Sequence, residues 1–298
     1  MNKYFLTLFF ACFGLAHAAF SQDDLLALLA DSTKPEPTFV RSTFKNTRII
    51  NGHSVENVAQ GVMEYRISHR FGFINTGFYD LFGLDNALMR NGFGYGLTEN
   101  LEIGIGRSNF AKFYDGYVKY KLLRQQTGIK EIPVSVSYLA TIAITARRFP
   151  DPNAENKFSS RIYYTHQVLV ARKFSDRFSA QLTPTLVHRN AVDFRTEKND
   201  IYAVGFGGRY KVTNRIAING EYFYVLPNQL AAGLRNSAAL GVDIETGGHV
   251  FQLHFTNSTS MIEQGFITQT TGKWLDGGIH FGFNVSRVFT LRDRKNKS

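Results

Sequence analysis

The chain has 298 residues, of which 34 are Lys or Arg and 24 are Asp or Glu, giving a formal net charge of +10. Its one cysteine, Cys12, lies near the N-terminus, so the remainder can build neither a disulfide framework nor a thiolate metal site. The basic residues are spread along the chain without a nucleic-acid-binding motif, which argues against nucleic acid as a partner. Solvated loops, anionic lipid headgroups or an anion-favouring lumen account for the charge instead.

Residues 1–18 are predicted to be a secretion signal that is removed. Lys3 supplies a positive start, Tyr4 to Leu15 is apolar, and Ala16-His17-Ala18 matches a small-residue cleavage site. The apolar stretch is shorter than the roughly 20 residues that a spanning helix needs. Removal leaves 33 basic and 24 acidic residues, a net charge of +9. Lipidation at Cys12 is less favoured, because cleavage there would leave a very short apolar core.

Residues 19–57 are predicted to lie outside the membrane wall, as a plug in the lumen or as a periplasmic segment. Asp23 to Asp31 has the pattern of a short Leu-rich helix, and Lys34 to Pro37 that of an extended linker. The run Phe39 to Ile50 has strand-like alternation, but adding it to the wall would make the strand number odd.

From residue 58 to residue 291 the sequence predicts an all-β fold, a transmembrane antiparallel up-and-down β-barrel. Its segments alternate between apolar and polar side chains; in Phe178 to Arg189, for example, Leu182 lies on one face and Ser179 and Thr183 lie on the other. Many segments reach the roughly 9–11 residues that a spanning strand needs. Strands of soluble proteins commonly have about 5–6 residues, so a soluble barrel or sandwich is the less favoured alternative.

Twelve strands are predicted, an even number as in bacterial single-chain barrels, with fourteen as the alternative. The predicted strands are 58–71, 87–97, 100–108, 113–123, 132–146, 160–174, 177–189, 200–211, 214–226, 237–246, 248–257 and 277–290.

Three short turns share one pattern: a hydrophobic residue, Ser or Thr, an acid or amide, Asn or Arg, and a second hydrophobic residue. They are Leu97 to Leu101, Phe174 to Phe178 and Val212 to Ile216. Short turns in the periplasm and longer loops outside are typical of outer-membrane barrels. The basic tail 292–298 is then periplasmic, and the loops predicted to face outward are 72–86, 147–159, 190–199, 227–236 and 258–276.

Side chains alternate between the two faces of each predicted strand, and this alternation places a set of charged residues on the face directed into the lumen. They form either a structural network or the lining of a permeation path, because rings of charge set pore selectivity. The candidates are Glu64, Arg66, Arg70, Arg90, Glu102, Asp115, Lys119, Lys121, Arg209 and Glu221.

Glycines on two neighbouring predicted strands also face the lumen, and glycine in a strand permits close approach of other backbone. They are therefore candidates for contact with a plug, although relief of crowding in a curved wall is the simpler explanation. These residues are Gly92, Gly94, Gly96, Gly104 and Gly106.

No catalytic, metal or cofactor site is predicted. The histidines show no metal-ligand spacing; His249 and His254, for instance, fall on opposite faces of a strand. His280, Asn284 and Ser286 share a face, but the histidine and the serine are too far apart along the strand to form a hydrolytic pair. A lipid-modifying enzyme at the rim is thus a less favoured alternative.

Four stretches resemble an uncharacterised family of Gram-negative outer-membrane β-barrels, classed as a domain of unknown function. They are Phe82 to Ala87, Gly94 to Thr98, Gly104 to Ser108 and Tyr114 to Tyr120. The resemblance covers most of the chain after the signal, and it implies an outer-membrane barrel without an assigned substrate or catalytic residue. Such barrels often end on an aromatic residue that the barrel assembly machinery recognises. Here Phe289 is followed by the basic tail, so the recognition signal is expected to be internal.

Together these features predict a protein of the Gram-negative outer membrane. The favoured function is a narrow, porin-like channel for a small polar or anionic solute, biased by Arg66, Arg70, Arg90, Lys119, Lys121 and Arg209. One alternative is a non-conducting barrel that docks a periplasmic partner through residues 19–57; the other is the rim enzyme. The expected partners are outer-membrane lipids, lipopolysaccharide and the barrel assembly machinery.

Overall fold

The computed structural model describes residues 37–128, 130–149, 157–192 and 197–292. The predicted signal, the helix 23–31, most of the linker and the tail beyond residue 292 lie outside these ranges. Within them, no helix is long and apolar enough to cross a membrane. The described residues divide into two units: residues 37–38, 126–128 and 130–131 belong to the smaller one, and the other described residues, from 39 to 125 and from 132 to 292, belong to the larger one. In the smaller unit, the Gln126 side-chain amide donates to the carbonyl oxygen of Lys130 over 2.8 Å.

Twelve antiparallel strands of the larger unit form a closed barrel, because β12 pairs with β1. The strands are β1 (Val62–Phe73), β2 (Ala87–Gly96), β3 (Leu101–Ser108), β4 (Phe113–Leu123), β5 (Ser135–Thr145), β6 (Ile162–Lys173), β7 (Phe178–Arg189), β8 (Asp200–Lys211), β9 (Ile216–Val225), β10 (Ser237–Thr246), β11 (His249–Thr256) and β12 (His280–Thr290). The predicted fold class and the strand number of twelve are confirmed.

The remaining elements are short. Within the described ranges one α-helix occurs, α1 (Glu263–Thr268), and two-residue strands occupy Thr38–Phe39 and Gln126–Thr127. Turns of 3-10 type occupy Ile74–Thr76, Phe78–Gly83, Phe110–Lys112, Phe158–Arg161 and Trp274–Asp276.

Alternation along each strand separates the two surfaces of the wall. In β7, Ser179 and Thr183 are each 4% exposed, whereas Phe178 and Leu182 are 43% and 40% exposed. The polar face is therefore directed into the barrel and the apolar face outward, as in a barrel that contacts lipid. The β6–β7 ladder stops at Gln167–Thr185 and resumes at Val170–Leu182, so it is interrupted opposite Pro184, which has no N–H to donate.

The three similar turns adopt one geometry and lie at the same end of the barrel, here called the turn end. In each, the backbone N–H of the first residue donates to the carbonyl of the fifth over 2.9 Å. The hydroxyl of the second residue accepts the N–H of the fifth, over 3.0 Å at Thr98, 3.1 Å at Ser175 and 3.0 Å at Thr213. The Ser or Thr of the pattern thus closes the hairpin. The opposite end is called the loop end.

The apolar clusters lie inside the ring of strands. The largest combines Phe266 and Ile267 of α1 with inward-facing residues of β7, β8 and β9, namely Val187, Ile201, Ala203, Phe223 and Val225. The loop 258–276 belongs to the loop end, but it is not solvated throughout, because nearly all of residues 257–270 are buried. Packing of α1 against apolar lumen residues removes this part of the loop from solvent.

Candidate functional site: the barrel lumen

Residues 43–58, the inner segment, enter the lumen from the turn end. Their tip is a tight hairpin in which Ile49 N–H donates to Gly52 O over 2.8 Å and Ser54 N–H donates to Thr47 O over 2.9 Å. A turn of this kind leaves N–H groups without backbone partners at its apex. The Glu221 carboxylate of β9 accepts them, from Ile50, Asn51 and Gly52, over 3.1, 2.8 and 3.1 Å.

Polar side chains from other strands hold the rest of the inner segment. Gln181 of β7 accepts from Val55 N–H and donates to His53 O, both over 2.8 Å. Glu102 of β3 accepts from Val58 N–H over 2.9 Å, and Gln252 of β11 donates to Ile49 O over 2.6 Å. Ser137 of β5 and Asn284 of β12 add bonds to the carbonyls of Val55 and Ile50. The segment is therefore bound on several sides of the ring.

All ten predicted lumen charges lie on the inner face of the wall, where they form ion pairs within the wall or contact the inner segment. Within the wall, the ion pairs are Arg66–Glu64 at 2.9 Å, Lys119–Glu102 at 3.2 Å, and Arg90–Asp115. Three other predicted residues contact the inner segment. Arg70 donates to the Asn51 side chain, Lys121 lies 3.8 Å from the Glu56 carboxylate, and Glu221 holds the tip. Lys119 also donates to the Glu56 carbonyl.

Arg209 pairs with Glu245 of β10 at 3.1 Å, and Glu245 also binds Lys45 at 2.9 Å. Glu245 and Asp243 face the same lumen and were missed by the sequence-based set, although the parity of β10 could have found them. With these two acids, the six basic candidates of the wall are matched by six carboxylates. The wall therefore carries no excess of positive charge from this set.

Tyr117 is a third residue that the sequence-based set missed, and it explains the glycine at position 104. Its hydroxyl donates to Glu102 over 2.7 Å, and its ring crosses the position where a Cβ on Gly104 would stand. Gly106 and Gly92 give room to the Arg90 guanidinium.

Of the five plug-contact candidates, Gly94 and Gly96 are the two that meet the inner segment or the residue that follows it. At Gly96 an added Cβ would lie 2.6 Å from Val58 O and would also meet Ala59 O; at Gly94 it would lie 3.8 Å from the Val58 side chain. The proposed contact with a plug is wrong for Gly92, Gly104 and Gly106, where wall side chains occupy the space instead.

Residues 257–270, the loop segment, fill the lumen from the loop end. Glu263 of α1 pairs with Arg48 of the inner segment at 2.8 Å, and the two side chains are 4% and 6% exposed. His53 lies beside this pair, with its Nε2 3.7 Å from the Glu263 carboxylate and its ring 4.6 Å from that of Tyr117. Burial, together with the positive charges of Arg48 and Lys119, lowers the pKa of His53 well below its ordinary value.

A cavity of about 700 Å³ at the turn end reaches the inner segment. Apolar residues such as Phe44 and Val62 line part of it, and charged residues of both signs line the rest, including Glu56, Glu64 and Arg215. Its inner boundary is the inner segment, so the cavity is a vestibule at this end of the barrel.

The residues considered for hydrolysis are not assembled into a catalytic group. His280 contacts the Thr259 hydroxyl at 3.0 Å and Phe71 O at 2.8 Å, whereas Ser286 contacts the Asn46 side chain at 3.3 Å. Asn284 binds Gln252 over 2.6 Å. Among the described residues, no group of three or more His, Cys, Asp or Glu side chains could hold a metal ion.

A closed antiparallel barrel with an apolar outer face and a polar inner face defines a membrane-embedded β-barrel protein. The family model described as "Membrane bound beta barrel domain (DUF5777)" matches residues 44–289. The chain belongs to this family, which confirms the resemblance found in the sequence. The match includes almost all of the inner segment as well as the twelve strands.

None of the curated proteins matches the chain. Among solved structures, the NanC porin has a TM-score of 0.47 at 7% identity, covering 76% of this chain and 98% of that one. The KdgM porin has a TM-score of 0.46 at 8% identity, covering 76% and 99%. The translocator domain of the autotransporter NalP from Neisseria meningitidis has a TM-score of 0.35 at 9% identity, covering 93% and 97%.

Proposed function

We propose that this protein is an outer-membrane β-barrel whose lumen is closed in its resting state. The placement in the outer membrane is supported by the predicted secretion signal and by strands long enough to span a bilayer. The observation that supports closure is the Arg48–Glu263 pair, which joins segments that enter the lumen from opposite ends. A steady ion path would have to break this buried contact.

Apolar packing inside the lumen also favours a closed barrel. Phe44, Ile49 and Val55 of the inner segment pack with Ala171 of β6, and α1 packs inside the lumen against residues of the neighbouring strands β7, β8 and β9. Burial of this surface stabilises both segments in place, since apolar area removed from water contributes about 25 cal/mol per Å². Such a barrel serves as a membrane anchor, with the vestibule as the surface open to a partner.

Single-channel recording in planar bilayers tests closure. We expect the full-length protein to give no steady conductance. A variant without residues 43–57 and with residues 259–271 replaced by a short Gly-Ser linker should give stable ion-conducting steps. Heat-modifiable migration on gels should be retained by both proteins, as a control for barrel formation. Steady conductance of the unmodified protein would contradict the proposal.

A gated narrow channel is the second candidate, and the polar attachment of the inner-segment tip favours it. The tip is held by hydrogen bonds to Glu221, Gln181 and Gln252, which can exchange with water if the segment moves. Glu221→Ala removes the acceptor of three backbone N–H groups, and it should produce brief openings that the unmodified protein lacks. Because the charged residues of the wall are balanced, we expect these openings to show weak preference between anions and cations. Continued silence of Glu221→Ala would favour the permanently closed barrel.

A further inference from the structure

Five basic side chains form a cluster at the loop end of β3 to β6, here called the rim patch: Arg107, Lys112, Arg147, Arg148 and Arg161. Backbone contacts place them side by side. Ala146 N–H donates to Lys112 O over 3.1 Å, which sets Lys112 beside the end of β5. The Arg161 guanidinium donates to Thr145 O over 3.0 Å, which sets β6 beside the same residues.

The described stretches of chain that carry the rim patch contain no carboxylate that could neutralise its charge. The stretches 107–114, 145–149 and 157–162 contain no Asp or Glu. The next acid along β4, Asp115, points into the lumen and pairs with Arg90. The sequence 150–156 adds two acids, but 145–161 as a whole still has four basic residues against two acidic ones. The local charge is therefore positive.

The position of Arg107 relates the rim patch to the membrane. Arg107 lies on the outward face of β3, in register with the exposed apolar residues Ile103 and Ile105. Its guanidinium lies over the Tyr114 ring, 5.2 Å from the centroid. A cation on the outer face of a barrel is tolerated close to the membrane interface and is costly at the bilayer centre, and aromatic residues mark that interface. The rim patch thus stands where the apolar belt ends.

We propose that the rim patch binds the phosphate groups of a phosphorylated glycolipid in the leaflet at the loop end. Arginine binds phosphate through two parallel N–H donors. The cluster offers the exposed guanidinium groups of Arg107, Arg147 and Arg148 and the ammonium group of Lys112, while Arg161 donates to backbone carbonyls and holds the loop in place. The acyl chains of the same lipid would lie against Ile105 and its neighbours, directly below Arg107. This site rests on the proposed placement in the outer membrane, where the loop end faces outward.

The continuity with the apolar belt favours a lipid over a soluble partner. A protein or nucleic acid would contact the exposed rim charges but would not require the outward side chains of β3 below them. A lipid engages both surfaces at once, because its headgroup and its chains are covalently joined. The occupant is therefore expected to need both a phosphate and acyl chains.

The test measures binding of bisphosphorylated lipid A to the full-length protein in nanodiscs, by native mass spectrometry and by titration. The rim variant is Arg107→Gln, Lys112→Gln, Arg147→Gln and Arg148→Gln combined. The matched control removes four exposed arginines at the turn end: Arg124→Gln, Arg172→Gln, Arg177→Gln and Arg287→Gln. Both variants change the net charge by the same amount, and heat-modifiable migration verifies that both are folded.

We expect the rim variant to bind lipid A at least about tenfold more weakly, and the control variant to stay within about twofold of the unmodified protein. Dephosphorylated lipid A should bind about as weakly as lipid A binds to the rim variant. Equal losses in both variants, equal binding of the dephosphorylated lipid, or equally tight binding of phosphatidylglycerol or of a soluble polyanion would overturn the proposal. None of these results bears on conductance, whereas recovery of the protein from the inner membrane would overturn the placement itself.

Discussion

Arg48 and Glu263 lie 215 positions apart in the sequence and form an ion pair of 2.8 Å inside the barrel. Arg48 comes from the inner segment and Glu263 from α1. The pair therefore joins the segment that enters at the turn end to the segment that enters at the loop end. The Arg48 guanidinium also donates to Asn51 O over 2.5 Å, so the same side chain stabilises the tip hairpin.

Removing one partner of this pair should destabilise the barrel strongly. Arg48→Ala or Glu263→Ala leaves an uncompensated buried charge, which costs about 3–5 kcal/mol in the free energy of unfolding. Urea unfolding in lipid vesicles measures this loss. The combined variant Arg48→Met and Glu263→Met should recover most of the stability, because replacement of both charges by apolar groups is often nearly neutral. A combined variant as unstable as the sum of the single variants would contradict this account.

Replacing Glu221 should loosen the tip of the inner segment without opening the strand ladder. Glu221→Gln puts an amide N–H₂ group where three backbone N–H groups need an acceptor. We expect hydrogen exchange of Ile50, Asn51 and Gly52 to accelerate at least tenfold. Asp176→Asn, at an exposed turn, is the matched control and should leave exchange in this segment unchanged. Unaltered protection in Glu221→Gln would show that the carboxylate does not hold the tip.

His53 makes stability depend on pH in a defined direction. Its pKa in the folded protein is well below the value near 6.5 of an unfolded chain, because burial and neighbouring cations disfavour the charged ring. The contribution of the neutral ring to the free energy of unfolding is therefore fully present above about pH 6.5. It decreases as the pH falls below that value, by at most about 1.4 kcal/mol per pH unit.

The measurement compares unfolding at pH 7.5 and pH 5.5 in the unmodified protein and in His53→Gln. Between pH 7.5 and pH 5.5 the free energy of unfolding of the unmodified protein should fall by up to about 1.4 kcal/mol more than that of the variant. The difference between the proteins isolates His53 from other groups that titrate in this range. Identical losses in both proteins would exclude a contribution from this ring.

Gly96 should tolerate no side chain, because the backbone that leaves the inner segment crosses it. A Cβ at this position would meet the carbonyl oxygens of Val58 and Ala59, so Gly96→Ala is expected to cost about 1–3 kcal/mol through displaced backbone. Gly116→Ala is the control, because its Cβ would meet the Ile142 side chain at an ordinary distance of 3.6 Å. Urea unfolding distinguishes the two; equal stability would show that the crossing can shift freely.

The positions of the strands could be predicted because the information is local. Each residue of a strand such as β7 faces either the lumen or the outer surface, and alternation of Ser, Gln and Thr with Leu and Phe records that choice directly. The turn pattern at Thr98, Ser175 and Thr213 is equally local, since the hydroxyl bonds the N–H three residues ahead. Parity also placed the ten lumen charges on the correct face.

The segments and side chains that fill the lumen could not be predicted from the alternation within single strands. The stretch from Ser258 to Ser260 has the polar composition of a solvated loop, and α1 has six residues, too few for a clear helical period. The sequence predicts that Gly104 is open to a plug, but the register between β3 and β4 places the Tyr117 ring there. These outcomes depend on side chains from other strands, which alternation within one strand does not report.

The sequence by itself determined the wall: twelve spanning strands, their inner and outer faces, and the hairpin turns that join them. Alternation within each strand suffices for this, because every residue contacts either the lumen or the lipid-facing surface and its polarity matches that environment. Only the tertiary structure decided that the barrel is filled, with Glu221 holding the inner segment and Arg48 meeting Glu263. Those contacts bring together residues far apart in the chain, and they exist because closing the ring places their strands and segments around one shared interior.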